Sequence, residues 1–357
     1  MGSDPLFGVA LHALGGLAAA SFYLPFRRVR GWAWESSWLV SGLLSWIVTP
    51  LLLAAAVVPG FAAILRSAPR GSLLGCYAFG VLWGIGGLTF GLSMRFLGMS
   101  LGYALAIGCC AVFGTLVPPL CEQLFTSSAA LIQLATTESG LVTLAGVAVC
   151  LAGIATCGWA GMRKERELPD EAKRAAIVEF DFAKGLRVAL FAGVMSACMA
   201  FAISAGKPIA ALAVQRGVPP LWQNAPVFVV ILCGGFTTNL VWCAVLNLRH
   251  GSLGDYRSGR NGSLLLNYLW SALAGVIWYL QFMFYGMGTT QMGRYDFSSW
   301  TIHMAFIIVF SNIWGLFLHE WRAASTRTIR LVLIGIAILV ASTFVIGGGN
   351  YLASLRE

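Results

Sequence analysis

Asp296, Trp300 and His303 stand at offsets of four and seven, the spacing that places three side chains on one face of a helix beginning near Asp296. The segment is Tyr295-Asp296-Phe297-Ser298-Ser299-Trp300-Thr301-Ile302-His303. It offers a titratable acid, a flat apolar ring and an imidazole, which is chemistry for handling a proton beside a polyhydroxylated ligand. Two readings stand for Asp296 taken alone. It exchanges a proton, or it caps the helix N-terminus, where a carboxylate accepts orphan amide hydrogens. Capping does not account for His303, one to two turns deeper.

A second group is Trp278-Tyr279-Leu280-Gln281-Phe282-Met283-Phe284-Tyr285, with Trp278, Gln281 and Tyr285 on one helical face. Sugars present apolar C–H faces and rings of hydroxyls, so an aromatic platform beside an amide that donates and accepts suits them. The alternative is an interfacial aromatic belt, against which stands the position of Gln281 near the middle of its apolar run. A third group is His12 with Gly16, Ala19 and Tyr23 along one face. Small residues beside the imidazole leave room for a ligand or for a neighbouring helix. Glu35, Lys207, Asn239 and Glu320 fall at or near the ends of apolar runs, where such groups snorkel to water.

The elements that carry these residues are apolar runs of about twenty residues, the length a bilayer requires. Ten are expected, at 6–26, 36–58, 73–94, 100–120, 140–160, 184–206, 222–246, 264–286, 299–318 and 328–347. Apolar residues make up 58% of the chain and charged residues 10%, against about 25% charged in a soluble domain. The fold class is therefore an all-α polytopic membrane protein. Of the 23 Lys and Arg, 17 fall in alternate loops beginning after the first span: Arg27, Arg28, Arg30, Arg95, seven from Arg163 to Arg187, Arg249, Arg257, Arg260, Arg322, Arg327 and Arg330. Basic residues stay cytoplasmic, so both termini are expected outside the cytoplasm. Asp4 before the first run and arginines after it reverse the charge order of a cleaved signal peptide, which predicts that span one is retained.

The net charge of +9 is explained by this topology, not by nucleic acid, for which no motif is present. Seven of the nine cysteines lie in or beside apolar runs without a CxxC, as small buried hydrophobes rather than metal ligands or disulfides. No phosphate-cradling GxxxxGK[ST], nucleophile elbow or clustered carboxylate appears, so neither an enzyme nor a cofactor is expected.

Pro50 in span two and Pro226 in span seven each remove a backbone donor and predict kinks. Gly80, Gly84, Gly87 and Gly91 form small-xxx-small pairs suited to close helix contact. Gly80-Val81-Leu82-Trp83 recurs as Gly275-Val276-Ile277-Trp278, and Gly91 and Gly98 recur at the same offset as Gly286 and Gly293. Chance matching in an apolar background is the alternative to a true repeat; the charged midpoint favours the repeat. The division is residues 1–160, a cytoplasmic connection 161–183 with a surface helix over Asp170–Phe182, and residues 184–357. Five spans being odd, the second half is inverted, an arrangement found in transporters with a site near the bilayer midplane.

The segments Ser21-Phe22-Tyr23-Leu24-Pro25-Phe26-Arg27-Arg28, Leu82-Trp83-Gly84-Ile85-Gly86, Met94-Arg95-Phe96-Leu97-Gly98-Met99-Ser100, Ala205-Gly206-Lys207-Pro208, Trp278-Tyr279-Leu280-Gln281-Phe282 and Tyr295-Asp296, with Trp300 and His303, resemble the bacterial L-rhamnose–proton symporter family of the drug/metabolite transporter superfamily. The resemblance implies ten helices in two inverted five-helix repeats, a place in the inner membrane, and uptake of a deoxysugar, L-rhamnose first, by proton symport. Its matching positions are His12, Gln281, Asp296 and His303. The chain departs from the pattern at Ile209–Arg216, in the loop 121–139 and in the last helix. With the residue reading, the expected sugar ligands are Trp278, Gln281, Tyr285, Trp300, His12 and Tyr23, and the proton-handling residues are Asp296 and His303. Export or exchange of another metabolite, or sugar sensing without transport, are the other functions such a chain could serve.

Overall fold

The computed structural model describes residues 4–97, 99–126, 130–167, 182–258 and 262–355. Among these the secondary structure is helical throughout: α1 (Pro5–Ser21), α2 (Tyr23–Phe26), α3 (Trp34–Leu43), α4 (Thr49–Val57), α5 (Phe61–Ser67), α6 (Arg70–Leu97), α7 (Met99–Thr126), α8 (Ala130–Thr136), α9 (Glu138–Glu167), α10 (Phe182–Ala205), α11 (Lys207–Gln215), α12 (Ala225–His250), α13 (Leu264–Thr289), α14 (Ser299–Phe317) and α15 (Thr326–Ser354). Nine described segments are long and apolar enough to cross a membrane, and α7 adds the apolar stretch Ala104–Pro118. The expected surface helix over Asp170–Phe182 and the repeat position Gly98 lie outside the described residues, apart from Phe182, which opens α10.

Pro226 acts differently from expectation, whereas Pro50 stands directly beside a helix irregularity. Pro226 occupies the first turn of α12, where the missing N–H has no intrahelical partner to lose, so it starts the helix and does not kink it. Pro50 sits in the first turn of α4, directly after a π-helical stretch, Leu44–Val48, that joins α3 to α4. The perturbation in span two is thus an inserted residue's worth of winding.

The chain forms two compact units, each drawing on both sides of the 161–183 connection: residues 1–17, 86–200 and 287–357, and residues 18–85 and 201–286. In the first unit α9 and α15 run antiparallel along a seam. A β-carbon on Gly349 would meet Thr143, on Gly146 Ile346, on Gly153 Leu339, and on Gly335 Cys157. The steps along α9 from 143 through 146 and 153 to 157 are of three, seven and four residues, a heptad spacing. Glycine here removes the atoms that would hold the backbones apart. Val9, Val147, Met292, Ile302, Phe306 and Ile346 form a core cluster of the same unit.

In the second unit α12 runs antiparallel to α3, with Glu35 against His250, Ser36 against Asn247 and Trp38 against Asn239. The repeated Gly-Val-x-Trp motif does matching work in its two copies. A β-carbon on Gly80 would overlap the carbonyl of Ile231 in α12, and one on Gly275 the carbonyl of Ser41 in α3.

Glu35 does not snorkel. It is 4% exposed and accepts from the Ser252 hydroxyl at 2.8 Å, with His250 Nδ1 at 2.9 Å. Beside it the equally buried Asp255 accepts from Ala33 N at 2.8 Å and from the Ser36 hydroxyl at 2.9 Å. Gly251, in the left-handed region at φ 65°, ends α12 and turns the chain back into this network. Asn239 is likewise buried, accepting from Trp38 Nε1 at 3.0 Å.

Candidate functional site

The predicted site residues divide between the two units. His12, Asp296, Trp300 and His303 belong to the first; Tyr23, Trp278, Gln281 and Tyr285 belong to the second.

In the first unit Asp296 lies in a 3₁₀ turn, Gly293–Ser298, and α14 begins only at Ser299. The α-helical offsets from Asp296 to Trp300 and His303 therefore do not describe their relation. Ser298 occupies the N-cap position of α14, and the backbone carbonyl of Asp296 accepts from Ser299 N. Asp296 is partly exposed, whereas Ser298, Ser299, Trp300, Thr301 and His303 are all buried. That first turn is a polar patch inside the protein, and it is tied to its surroundings. Trp300 Nε1 donates to the Cys110 carbonyl at 3.1 Å, with its ring against Gly114, where a β-carbon would overlap it. The Thr301 and Thr115 hydroxyls are 2.6 Å apart. The Trp300 indole is thus held by α7.

His303 and His12 come together. Both are essentially fully buried, and their ring centroids are 6.2 Å apart in an edge-on arrangement. Gly288, just before the end of α13, makes the space, since a β-carbon there would stand 2.8 Å from His12 Cε1. Gly16 brings α1 against the backbone of Phe306 in α14. Two imidazoles are thus buried together in the core of this unit, edge to face.

In the second unit Trp278 packs edge-on against Phe22 at 4.2 Å between centroids and against Phe282 at 6.1 Å. Gln281 is 3% exposed, and neither its Nε2 nor Trp278 Nε1 has a hydrogen-bond partner. Buried donors are rarely left so, and a pair of them beside aromatic rings is what a hydroxyl-bearing ligand would satisfy. Tyr285 is buried against Phe228, centroids 6.4 Å apart. Tyr23 is about half exposed and packs, with tilted rings, among Phe22, Phe26 and Trp38.

Trp38, Trp46 and Trp83 join the same aromatic body and were not foreseen as site residues. Trp83 was visible in sequence only as part of the recurring Gly-Val-x-Trp motif, and Trp38 and Trp46 only among the 13 Trp of the chain; for Trp46 the π-helical stretch that holds it leaves no sequence signal of which way it faces.

The family model described as L-rhamnose-proton symport protein (RhaT) matches residues 1–352. A Cronobacter sakazakii protein named L-rhamnose-proton symporter is 39% identical over 345 residues, 96% of this chain and 97% of that protein. Proteins of the same name from Escherichia coli O157:H7 and Shigella dysenteriae serotype 1 are 38% identical over the same shares.

Proposed function

The chain belongs to the L-rhamnose-proton symport protein family, a family of membrane transporters and not of enzymes, and on that premise we propose that it imports L-rhamnose into the cell together with a proton. The observation that carries this reading is the correspondence over 96% of the chain to relatives bearing that name. The division of the site residues supports it: imidazoles and a carboxylate in one unit, aromatic rings and an amide in the other.

In this reading Asp296 and the His12–His303 pair handle the proton. Two imidazolium ions with centroids 6.2 Å apart would repel by roughly 3 kcal/mol at an effective dielectric near 20, so the pair suits one proton and not two. Trp278, Gln281, Tyr285 and Tyr23, all of the second unit, meet the sugar. Proton and sugar affinities then promote one another by linkage, whichever binds first.

The fold is read as ten spans, α7 being the tenth, in two inverted five-span repeats. What supports inversion is pairing: α3 lies against α12, α7 against α14 and α9 against α15, each span beside the one five places later. A two-fold axis places equivalent elements side by side, and the α9–α15 and α3–α12 pairs run antiparallel, as inversion demands. The protein resides in the inner membrane with both termini outside the cytoplasm. The test is L-rhamnose uptake into proteoliposomes under an imposed inward proton gradient, with and without a protonophore. Accumulation that the protonophore abolishes is expected; no accumulation by folded protein removes the substrate.

A further inference from the structure

The rings around Trp278 close on themselves. Phe22 meets Trp38 at 6.2 Å, Trp38 meets Trp46 at 6.1 Å, Trp46 meets Trp83 at 6.2 Å, Trp83 meets Phe282 at 5.5 Å, Phe282 meets Trp278 at 6.1 Å, and Trp278 returns to Phe22 at 4.2 Å. All six residues belong to the second unit. Within that unit the described buried side-chain atoms that lack a hydrogen-bond partner are Trp46 Nε1, Ser271 Oγ, Trp278 Nε1 and Gln281 Nε2. Two are on the circuit, and Gln281 immediately precedes its member Phe282. Three of the four are nitrogen donors.

Trp46 owes its place to the π-helical stretch Leu44–Val48. Such single-turn insertions are kept at functional sites more than elsewhere. The Trp46 ring lies over Gly42, with Cζ3 2.8 Å from where a β-carbon would stand, and the side chain is 4% exposed. Gly275 brings α13 onto α3 at Ser41, about one turn from Trp46, so the helix bearing Trp278 and Gln281 passes close to it. Trp38 shows the contrast: its N–H has an acceptor in Asn239. A buried indole without one costs stability unless something else accepts its hydrogen.

We infer that Trp46 is a sugar-binding and specificity-determining residue, whose indole N–H, with those of Trp278 and Gln281, donates to the hydroxyl oxygens of a pyranose stacked within the aromatic circuit. This rests on the sugar-uptake reading above. A donor-rich set treats the hydroxyls as acceptors, and the ring faces take the C–H surface and the methyl group of a 6-deoxysugar.

The experiment compares wild type, Trp46→Phe, and a protein carrying 3-benzothienylalanine at position 46, which keeps the bicyclic shape and replaces N–H by sulfur. Proton-driven uptake is measured for L-rhamnose and its 2-, 3- and 4-deoxy analogues. Both variants are expected to raise KM for L-rhamnose up to about tenfold, the worth of one net hydrogen bond, with maximal rate little changed. For one deoxy analogue, the one lacking the accepting hydroxyl, wild type and variants converge. An unchanged KM in the benzothienyl protein, or the same loss on every analogue, overturns the inference while leaving L-rhamnose symport intact. If wild type transports no L-rhamnose, tryptophan emission is titrated with a panel of pyranoses. A pyranose that shifts wild type and not the position-46 proteins upholds the donor set and removes only the substrate. No response to any pyranose overturns both.

Discussion

At the scale of single residues, His303 and Asp296 make separable demands. His303 is buried 6.2 Å from His12; Asp296 is partly exposed in the preceding 3₁₀ turn. A residue that carries the coupled proton is needed for accumulation and not for exchange of sugar across a membrane without a proton gradient. His303→Gln, which keeps hydrogen-bonding capacity but cannot hold the charge, is expected to abolish concentrative L-rhamnose uptake while preserving counterflow. Asp296→Asn tested in the same two assays assigns the share of each group. Should both variants accumulate sugar as wild type does, with the same protonophore sensitivity, the proton assignment to this unit is wrong. The meeting of His12 and His303 was not legible in the sequence, where they stand far apart; each was visible only as a polar residue in an apolar run. Asp296 was legible as a residue, but its turn was not, because a 3₁₀ winding and the first turn of an α-helix share the same residue preferences.

At the scale of elements, the α9–α15 seam offers a matched pair of substitutions on adjacent residues. Gly349 faces α9: a β-carbon there would stand 2.9 Å from Thr143 N and 3.0 Å from the Ser139 carbonyl, both backbone atoms that cannot turn aside. Gly348 has nothing within 4 Å of that position. Gly349→Ala is therefore expected to destabilise by about 1–3 kcal/mol through overpacking, and Gly348→Ala to be neutral or gain up to about 1 kcal/mol of helix propensity. Thermal midpoints in one detergent measure both, and equal shifts would contradict the seam. The buried network at the α3–α12 end makes a further demand. Asp255→Ala leaves Ala33 N without its acceptor and the Ser36 hydroxyl with Asn247 Oδ1 alone, a loss of about 1–3 kcal/mol for the group left unpaired. A midpoint lowered well beyond that of an exposed control such as Ser258→Ala is the expected result. The helices themselves were legible: α10, α13 and α14 begin within two residues of expectation, since apolar run length is a strong signal. Glu35 and Pro226 were misread for one reason. Proximity to a helix end says nothing about whether the neighbouring chain folds over it, as Ser252–Tyr256 does over Glu35, or about which turn of the helix a proline will occupy.

At the scale of the whole molecule, charge and pairing are independent readings of the same architecture. The charge argument uses loops: 17 of 23 basic residues fall in alternate connections, the asymmetry expected of cytoplasmic connections. The pairing argument uses buried contacts: α9 against α15 and α3 against α12, antiparallel and five spans apart. Inversion of an odd-numbered repeat requires that corresponding points of the two halves face opposite sides of the membrane. In the proposed inverted repeat the turn after α12, Ser252–Tyr256, and the connection from α4 to α5 at Gly60 are corresponding points, each following the second span of its half. Alkaline phosphatase fused after Ser258 is then expected to be inactive, and fused after Gly60 or at the C-terminus active, because the enzyme folds only outside the cytoplasm. A fluorescent protein that matures only in the cytoplasm is expected to report the reverse at each site. Activity on the same side for the Gly60 and Ser258 fusions would mean that the two halves insert in the same orientation. The antiparallel pairing would then need an explanation other than an inverted repeat, and the basic connections could not all be cytoplasmic. A clean alternation, with the C-terminus outside, would bring the positive-inside asymmetry and the span pairing to the same topology from unrelated physics, one from loops meeting the membrane surface and the other from backbones meeting across glycine.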